Sequence, residues 1–192
     1  MGDYFQTIVD LDATAAEADA LAARAVAWLV GEGVVAAGQT DCVLGQPLGH
    51  PPGPHWAKAV EEEDEDRNPS DGLAVHTGRT VFHGGQGDAE SVTCPRCAAE
   101  TLFYTDEWEE IDGAQVPFTQ AVDTWHATGA AEVTCPACAR PVPLAEWEWA
   151  DDYHAFAYLG LEFWNWPPLR PEFVEQVAGV IGHRIRVVWG KL

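Results

Sequence analysis

The phrase Val-Thr-Cys-Pro-x-Cys occurs twice in this chain, at Val92–Cys97 and at Val133–Cys138, with 37 residues between the two cysteine pairs. No other feature restricts the fold as much. A Cys-x-x-Cys turn aims two thiolates at one point, and the backbone N–H groups of the turn stabilise the sulfur charge. Proline after the first cysteine fixes the turn, and the preceding Val-Thr supplies a lead-in strand. Two such turns offer four soft ligands, Cys94, Cys97, Cys135 and Cys138, in a tetrahedron. Zinc takes that set at about 2.3 Å per Zn–S bond. Four thiolates leave no open position for water, so the expected zinc is structural rather than catalytic. A lone Cys-x-x-Cys also serves redox sites, so it is the matched pair that carries the reading. Iron in a rubredoxin-type cage and two independent dithiols are the alternatives. Ala98 and Ala139 stand where such knuckles usually carry glycine, which counts against the rubredoxin type.

Residues 91–140 therefore read as an inserted zinc-ribbon module. Between its knuckles, "PFTQAVDTWHATG" has helical spacing, with Phe118, Ala121, Val122 and Trp125 on one side, and is expected to pack across the ribbon. Ribbons of this kind bind nucleic acid in many proteins, but from Val92 to Arg140 eight acids face two arginines, and phosphate would be repelled. The whole chain repeats the pattern, with 31 acidic against 10 basic residues and a net charge of −21. Such a surface repels nucleic acid and anionic membranes and attracts basic protein partners, although acidity also serves plain solubility. The start "MGDYFQTIVDLD" has neither the basic nor the apolar region of a secretory signal. No apolar run approaches the roughly 20 residues a membrane helix needs. The expected location is the cytoplasm, where five cysteines read as metal ligands or thiols rather than disulfides.

The two ends of the chain share one plan. Tyr4–Asp12 reads as a strand and Thr14–Val30 as a helix, opened by a Thr14/Glu17 capping box. "GVVAA" and "DCVLG" follow as short strands. Near the C-terminus, Tyr153–Trp166 reads as a central strand and "PEFVEQVAGVIG" as a helix, with Pro171 at its first position and Gly182 at its stop. "HRIRVVWGKL" reads as the last strand. The economical architecture is α+β: a ferredoxin-like sandwich formed by residues 1–90 and 141–192, carrying the ribbon as an insert. Strands near Tyr4–Asp10 and Arg184–Trp189 should share a sheet with Ala155–Phe163. "LAVHTGRTVFH" (Leu73–His83) reads as a hairpin turning at Thr77-Gly78, and residues 57–72 form a loop carrying the acidic run Glu61–Asp66.

Other residues invite chemical readings. Cys42 reads as a small buried apolar residue, and His50 with His55 have no recognised ligand spacing. His76 and His83 flank the expected hairpin turn and would face each other. His126 reads as a surface or capping residue. Asp151, Asp152 and His154 form either an acid/base set or a solvated strand entrance. Trp164 and Trp166 would share a strand face, as core or as a partner surface. Gly190-Lys191 lacks the glycine loop and hydroxyl of a phosphate loop.

The phrases "GDYFQTIVDLDAT", "DCVLG", "GLAVHTGRTVF", "VTCPRC", "VDTWH", "VTCPAC" and "EFWNWP…GHR…VVWGKL" resemble a family of small acidic proteins from high-GC actinobacteria, over nearly the whole chain. The resemblance implies the bacterial cytosol and no particular activity. Some members carry a transporter-ATPase label, which the missing phosphate loop does not support. The expected function is that of a non-enzymatic, zinc-stabilised protein acting by protein–protein binding. An acidic inhibitor or immunity-type protein masking a basic partner is the alternative. A further one is an enzyme built on His76, His83 and His154.

Overall fold

The computed structural model describes residues 2–61 and 67–192, so most of the acidic run Glu61–Asp66 lies outside the described residues. The fold is mixed, with antiparallel sheets and three α-helices among the described residues. Its largest sheet has four strands: β1 (Tyr4–Asp10), β2 (Leu73–His83), β8 (His154–Trp164) and β9 (Ile185–Lys191), in the order β2-β8-β1-β9. Every neighbouring pair is antiparallel. The expected pairing of the chain ends is therefore present: Ile8 lies opposite Leu161 on one side and Val187 on the other. β1 is covered on both faces, with every residue after Tyr4 buried. Three of those buried residues, Gln6, Thr7 and Asp10, are polar.

Helices α1 (Ala18–Gly31) and α3 (Pro171–Ile181) lie on one face of this sheet. Leu21, Ala25 and Leu29 of the first meet Phe173, Val177 and Ile181 of the second over Ile8, Leu73, Leu159, Leu161 and Phe163. Trp28 stacks on Phe173 with ring centres 6.0 Å apart. Arg24 donates from α1 to the carbonyl of Ile181, an orphan acceptor at the C-terminus of α3. Gly182 ends α3 in the left-handed conformation, at φ 83°. Asp10, fully buried, joins the ends of β1 and β9: it accepts the N–H groups of Asp12 and Ala13 and bonds His183 Nδ1 at 2.9 Å.

The remaining strands belong to the cysteine-bearing part of the chain: β3 (Ser91–Thr93), β4 (Glu100–Leu102), β5 (Glu132–Thr134), β6 (Pro141–Pro143) and β7 (Glu148–Trp149). They form a three-stranded sheet, β4-β3-β7, and a two-stranded one, β5-β6. Between them lies α2 (Val116–Thr128), whose Phe118, Ala121 and Trp125 are buried as its spacing predicted. Phe118 packs edge-on to Trp147, and Phe103 and Trp149 complete an aromatic core. Trp125 reaches Phe156 on β8, with ring centres 5.3 Å apart. Arg79 donates from β2 to the carbonyls of His126 (3.1 Å) and Ala127 (2.6 Å), at the end of α2.

Four local expectations need correction. Leu73–His83 is not a hairpin but one strand of 11 residues. Gly78, at φ 118°, takes up an extra residue between Thr77 and Thr80 as a bulge instead of reversing the chain. His76 and His83 thus do not face each other across a turn. "GVVAA" forms only one isolated bridge, Val35 to Pro52, and "DCVLG" forms no strand, the residue before it, Thr40, bridging Gly49, because the proline- and glycine-rich segment they meet cannot sustain a ladder. α1 begins at Ala18, not Thr14. Glu17 does reach back to the Thr14 N–H, but the Thr14 hydroxyl donates to the Glu17 carboxylate (2.6 Å) rather than capping a backbone N–H. Trp164 and Trp166 do not share a strand face. β8 stops at Trp164, Asn165 turns the chain at φ 53°, and the two rings enter separate clusters.

Candidate metal centre

The two Cys-Pro-x-Cys turns fold alike. In the first, Cys94 N–H donates to Ala99 O and Ala98 N–H donates to Cys94 O, each at 2.9 Å. In the second, Cys135 N–H donates to Arg140 O and Ala139 N–H to Cys135 O, again at 2.9 Å. The lead-in strands β3 and β5 present these turns to one another. The result is that the sulfurs of Cys94, Cys97, Cys135 and Cys138 all lie within 4.8 Å of one another. Cys97 Sγ and Cys135 Sγ are 3.8 Å apart. That is the sulfur–sulfur edge of a tetrahedron with metal–sulfur bonds of about 2.3 Å, and far longer than the roughly 2.05 Å of a disulfide. All four cysteines are free. Cys94 and Cys135 are buried against the aromatic core, while Cys97 is exposed.

The electrostatics of the quartet favour a cation. The Cys135 thiol is lowered to about 7, first by the backbone N–H of Cys138 and further by that of Ala137. At Cys97 the backbone N–H of Ala99 favours the thiolate, but burial and the three neighbouring sulfurs outweigh it and push the thiol up to about 12. Four sulfurs this close resist carrying more than one negative charge. A central divalent ion removes that resistance, since it binds thiolates. The donors, their spacing and their charge thus fit a metal ion in the position the sequence predicted. Ala98 and Ala139 both take left-handed backbone, at φ 56° and 57°. An alanine there is strained by about 1–2 kcal/mol. Replacing both by glycine should stabilise the fold by a net of about 1 kcal/mol once the greater chain freedom of glycine is subtracted, and so raise the melting temperature. A lower melting temperature in Ala98→Gly/Ala139→Gly would contradict this account of the knuckles.

The other candidate residues are placed as follows. Among the described residues no further group of three or more Cys, His, Asp or Glu is gathered closely enough to hold a metal. Cys42 is half-buried beside Val43, Phe5 and Trp164. His50 is buried, bonded to Ala36 O and the Gln39 amide, and His55 bonds Glu32 O. His126 is exposed. Asp152 pairs with Arg186 at 3.1 Å, and Asp151, Asp152 and His154 are not gathered closely enough to share a metal. His76 bonds Glu162 at 2.8 Å, and both His76 and His83 border one small cavity. The Glu162 partner, 86 residues away in sequence, carried no sequence signal. Trp164 and Trp166 are buried, and their indole N–H groups donate to Glu162 Oε2 and Asp71 O.

His154 is packed edge-on to Trp149 and Tyr153, with ring centres 4.5 and 4.8 Å away. Burial lowers it from the usual 6.5 to about 4. The folded protein therefore holds His154 neutral while the unfolded chain protonates near 6.5. Its stabilising contribution is full above that value and is lost as pH falls from about 6.5 towards 4. The loss reaches roughly 3 kcal/mol. Melting curves of the wild type and His154→Gln should converge over that window. A difference that stays constant with pH would refute the assignment.

Comparison of the chain with models of known protein families, with curated proteins and with solved structures yields no match. No helix is long and apolar enough to cross a membrane, among the described residues.

Proposed function

We propose that this is a zinc-stabilised binding protein, non-enzymatic and cytoplasmic, whose partner is a basic protein. Zinc is the ion best suited to four thiolates closing all four positions, and a closed tetrathiolate supports a structural role. The strand order β2-β8-β1-β9, with α1 and α3 on one face, supports a ferredoxin-like sandwich interrupted between β2 and β8 by the zinc ribbon.

The observation that carries the binding reading is a groove of about 750 Å³ at the end of the four-stranded sheet, bordered by Tyr4, Trp166, Pro167, Pro168 and Trp189. Tyr4 and Trp189 are 53% and 52% exposed, whereas Trp164 and Trp166, the sequence candidates for an aromatic anchor, are each only 6% exposed. Rigid aromatic side chains beside prolines supply contact area with little ordering entropy. The Tyr4 ring already carries an ammonium, Lys191 Nζ, at 5.4 Å from its centre. The acidic run Glu61–Asp66 is followed in sequence by Arg67, a groove residue. A net charge of −21 selects a partner rich in Lys and Arg. Masking of such a partner is one form this binding would take.

Peptides selected from a random library for binding this protein, with counter-selection against Trp189→Ala, should be enriched in Lys and Arg. Their affinity should fall as salt rises past physiological strength, where exposed charges are screened over about 8 Å. Selection of neutral or acidic peptides, or of none that depends on Trp189, would overturn the reading.

A further inference from the structure

A second site lies on the sheet face turned away from α1 and α3. Strand alternation puts Phe5 and Thr7 on the side of β1 opposite Ile8, which packs under the helices. There Thr7 of β1 is directly opposite Glu162 of β8, and His76 of β2 is opposite Gly160 of β8. Phe82 lies across Gly160, where any Cβ would run into its ring. Phe5, Thr7, His76, Thr80, Phe82 and Glu162 border a cavity of about 170 Å³. That is room for roughly half a dozen water-sized groups.

Two features indicate that the cavity is built for a ligand. Thr7 is fully buried, and its hydroxyl has no hydrogen-bond partner. A buried hydroxyl left unpaired costs about 1–3 kcal/mol, which a ligand group that paired with it would recover. Glu162 is held by two donors on the same oxygen: His76 Nε2 at 2.8 Å and Trp164 Nε1 at 2.7 Å both reach Oε2. Its side chain is 12% exposed. The carboxylate is thereby fixed in place with Oε1 left to accept from a ligand. The lining contains no Lys or Arg and Glu162 is its one carboxylate, with His76, which bonds it, and His83 as the other titratable groups. Phe5 and Phe82 supply the apolar part of the lining.

We propose that this cavity binds a small organic cation, a short alkylammonium of no more than about half a dozen non-hydrogen atoms. Its ammonium donates to Glu162 Oε1 and Thr7 Oγ1, and its carbon chain lies against Phe5 and Phe82. The site is separate from the Tyr4–Trp189 groove and does not rest on the partner-binding reading.

The test is titration of the full-length protein with propylammonium, propanol and propionate, followed by nuclear magnetic resonance shifts of the cavity side chains. Propylammonium should bind saturably, at least tenfold more tightly than propanol, and propionate should not bind. Thr7→Val keeps the shape and removes the unpaired hydroxyl. It should weaken propylammonium about tenfold while leaving the melting temperature of the protein alone equal or higher. Glu162→Gln should abolish binding; if it fails to fold, Thr7→Val decides alone. Propylammonium binding no tighter than propanol, or Thr7→Val binding it as the wild type does, would overturn the proposal.

Discussion

Protein purified without added metal will carry close to one zinc ion per chain, and Cys135→Ser will lose that ion together with the folded structure of the cysteine-bearing segment. The expected effect is large because binding energy and folding energy are the same quantity here. Apparent zinc affinities of small tetrahedral sites are of order 10 kcal/mol or more, against a total stability of about 5–15 kcal/mol for a typical domain. Cys135 is the most informative ligand to replace. It is buried at 1% exposure, its thiol is the one lowered to about 7, and its backbone closes the second knuckle through Arg140. The module's aromatic core is continuous with both buried sulfurs, so loosening the knuckles should expose Phe103, Phe118 and Trp147. The readouts are elemental analysis, thiol titration and near-ultraviolet circular dichroism. Stoichiometric iron would replace zinc by a rubredoxin-type centre. A folded, metal-free protein with four reactive thiols would sink the assignment. The β2-β8-β1-β9 sheet has its own core under α1 and α3, so it should retain structure in the Cys135→Ser variant.

The knuckles were legible because their signal is local: four residues set each turn, and the repeat identified the pairing of the turns. The same holds for α3, which Pro171 opens and Gly182 closes, and for the buried stripe of α2. The pairing of β1 with β8 and β9 was legible for a different reason. Two strand–helix–strand patterns with apolar faces leave few ways to bury Val177 and Ile181. What failed was sequence that supports two local outcomes. Thr77-Gly78 permits either a turn or a bulge, and the choice belongs to β8, which offers a full-length partner to β2. Asn165 looks like one more strand residue, yet its left-handed backbone sends Trp164 and Trp166 into separate clusters, and its amide bonds Asp3 and Asp71. The His76–Glu162–Thr7 arrangement was invisible because three strands distant in sequence build it. Gln6 was missed for the same reason: its amide donates to Trp166 O and Pro167 O and accepts from Leu169 N–H, fixing the proline segment after β8.

That proline segment makes Trp166 the other residue with a large expected effect. Its ring meets Phe163 at 5.1 Å and Trp56 at 6.5 Å between centres, and its indole N–H donates to Asp71 O at 3.0 Å. Trp166→Ala removes the ring from the cluster that α1 and α3 share with the sheet and leaves the Asp71 carbonyl without its donor. Truncations of this kind lose about 3–5 kcal/mol. At roughly 2–4 °C per kcal/mol for a chain of this size, the melting temperature should drop by about 10 °C. Trp189→Ala is the matched control. Its side chain is half-exposed on an edge strand, so its loss should alter stability by no more than about 0.5 kcal/mol. The two variants therefore separate core from binding surface on the same groove. Trp166→Ala should melt early, and any loss of peptide affinity should follow from the displaced Pro167 and Pro168. Trp189→Ala should melt as the wild type does and bind poorly. An unchanged melting temperature in Trp166→Ala would mean that the ring does not belong to the core. The anchor of the groove would then have to be reassigned from Trp189 to Trp166.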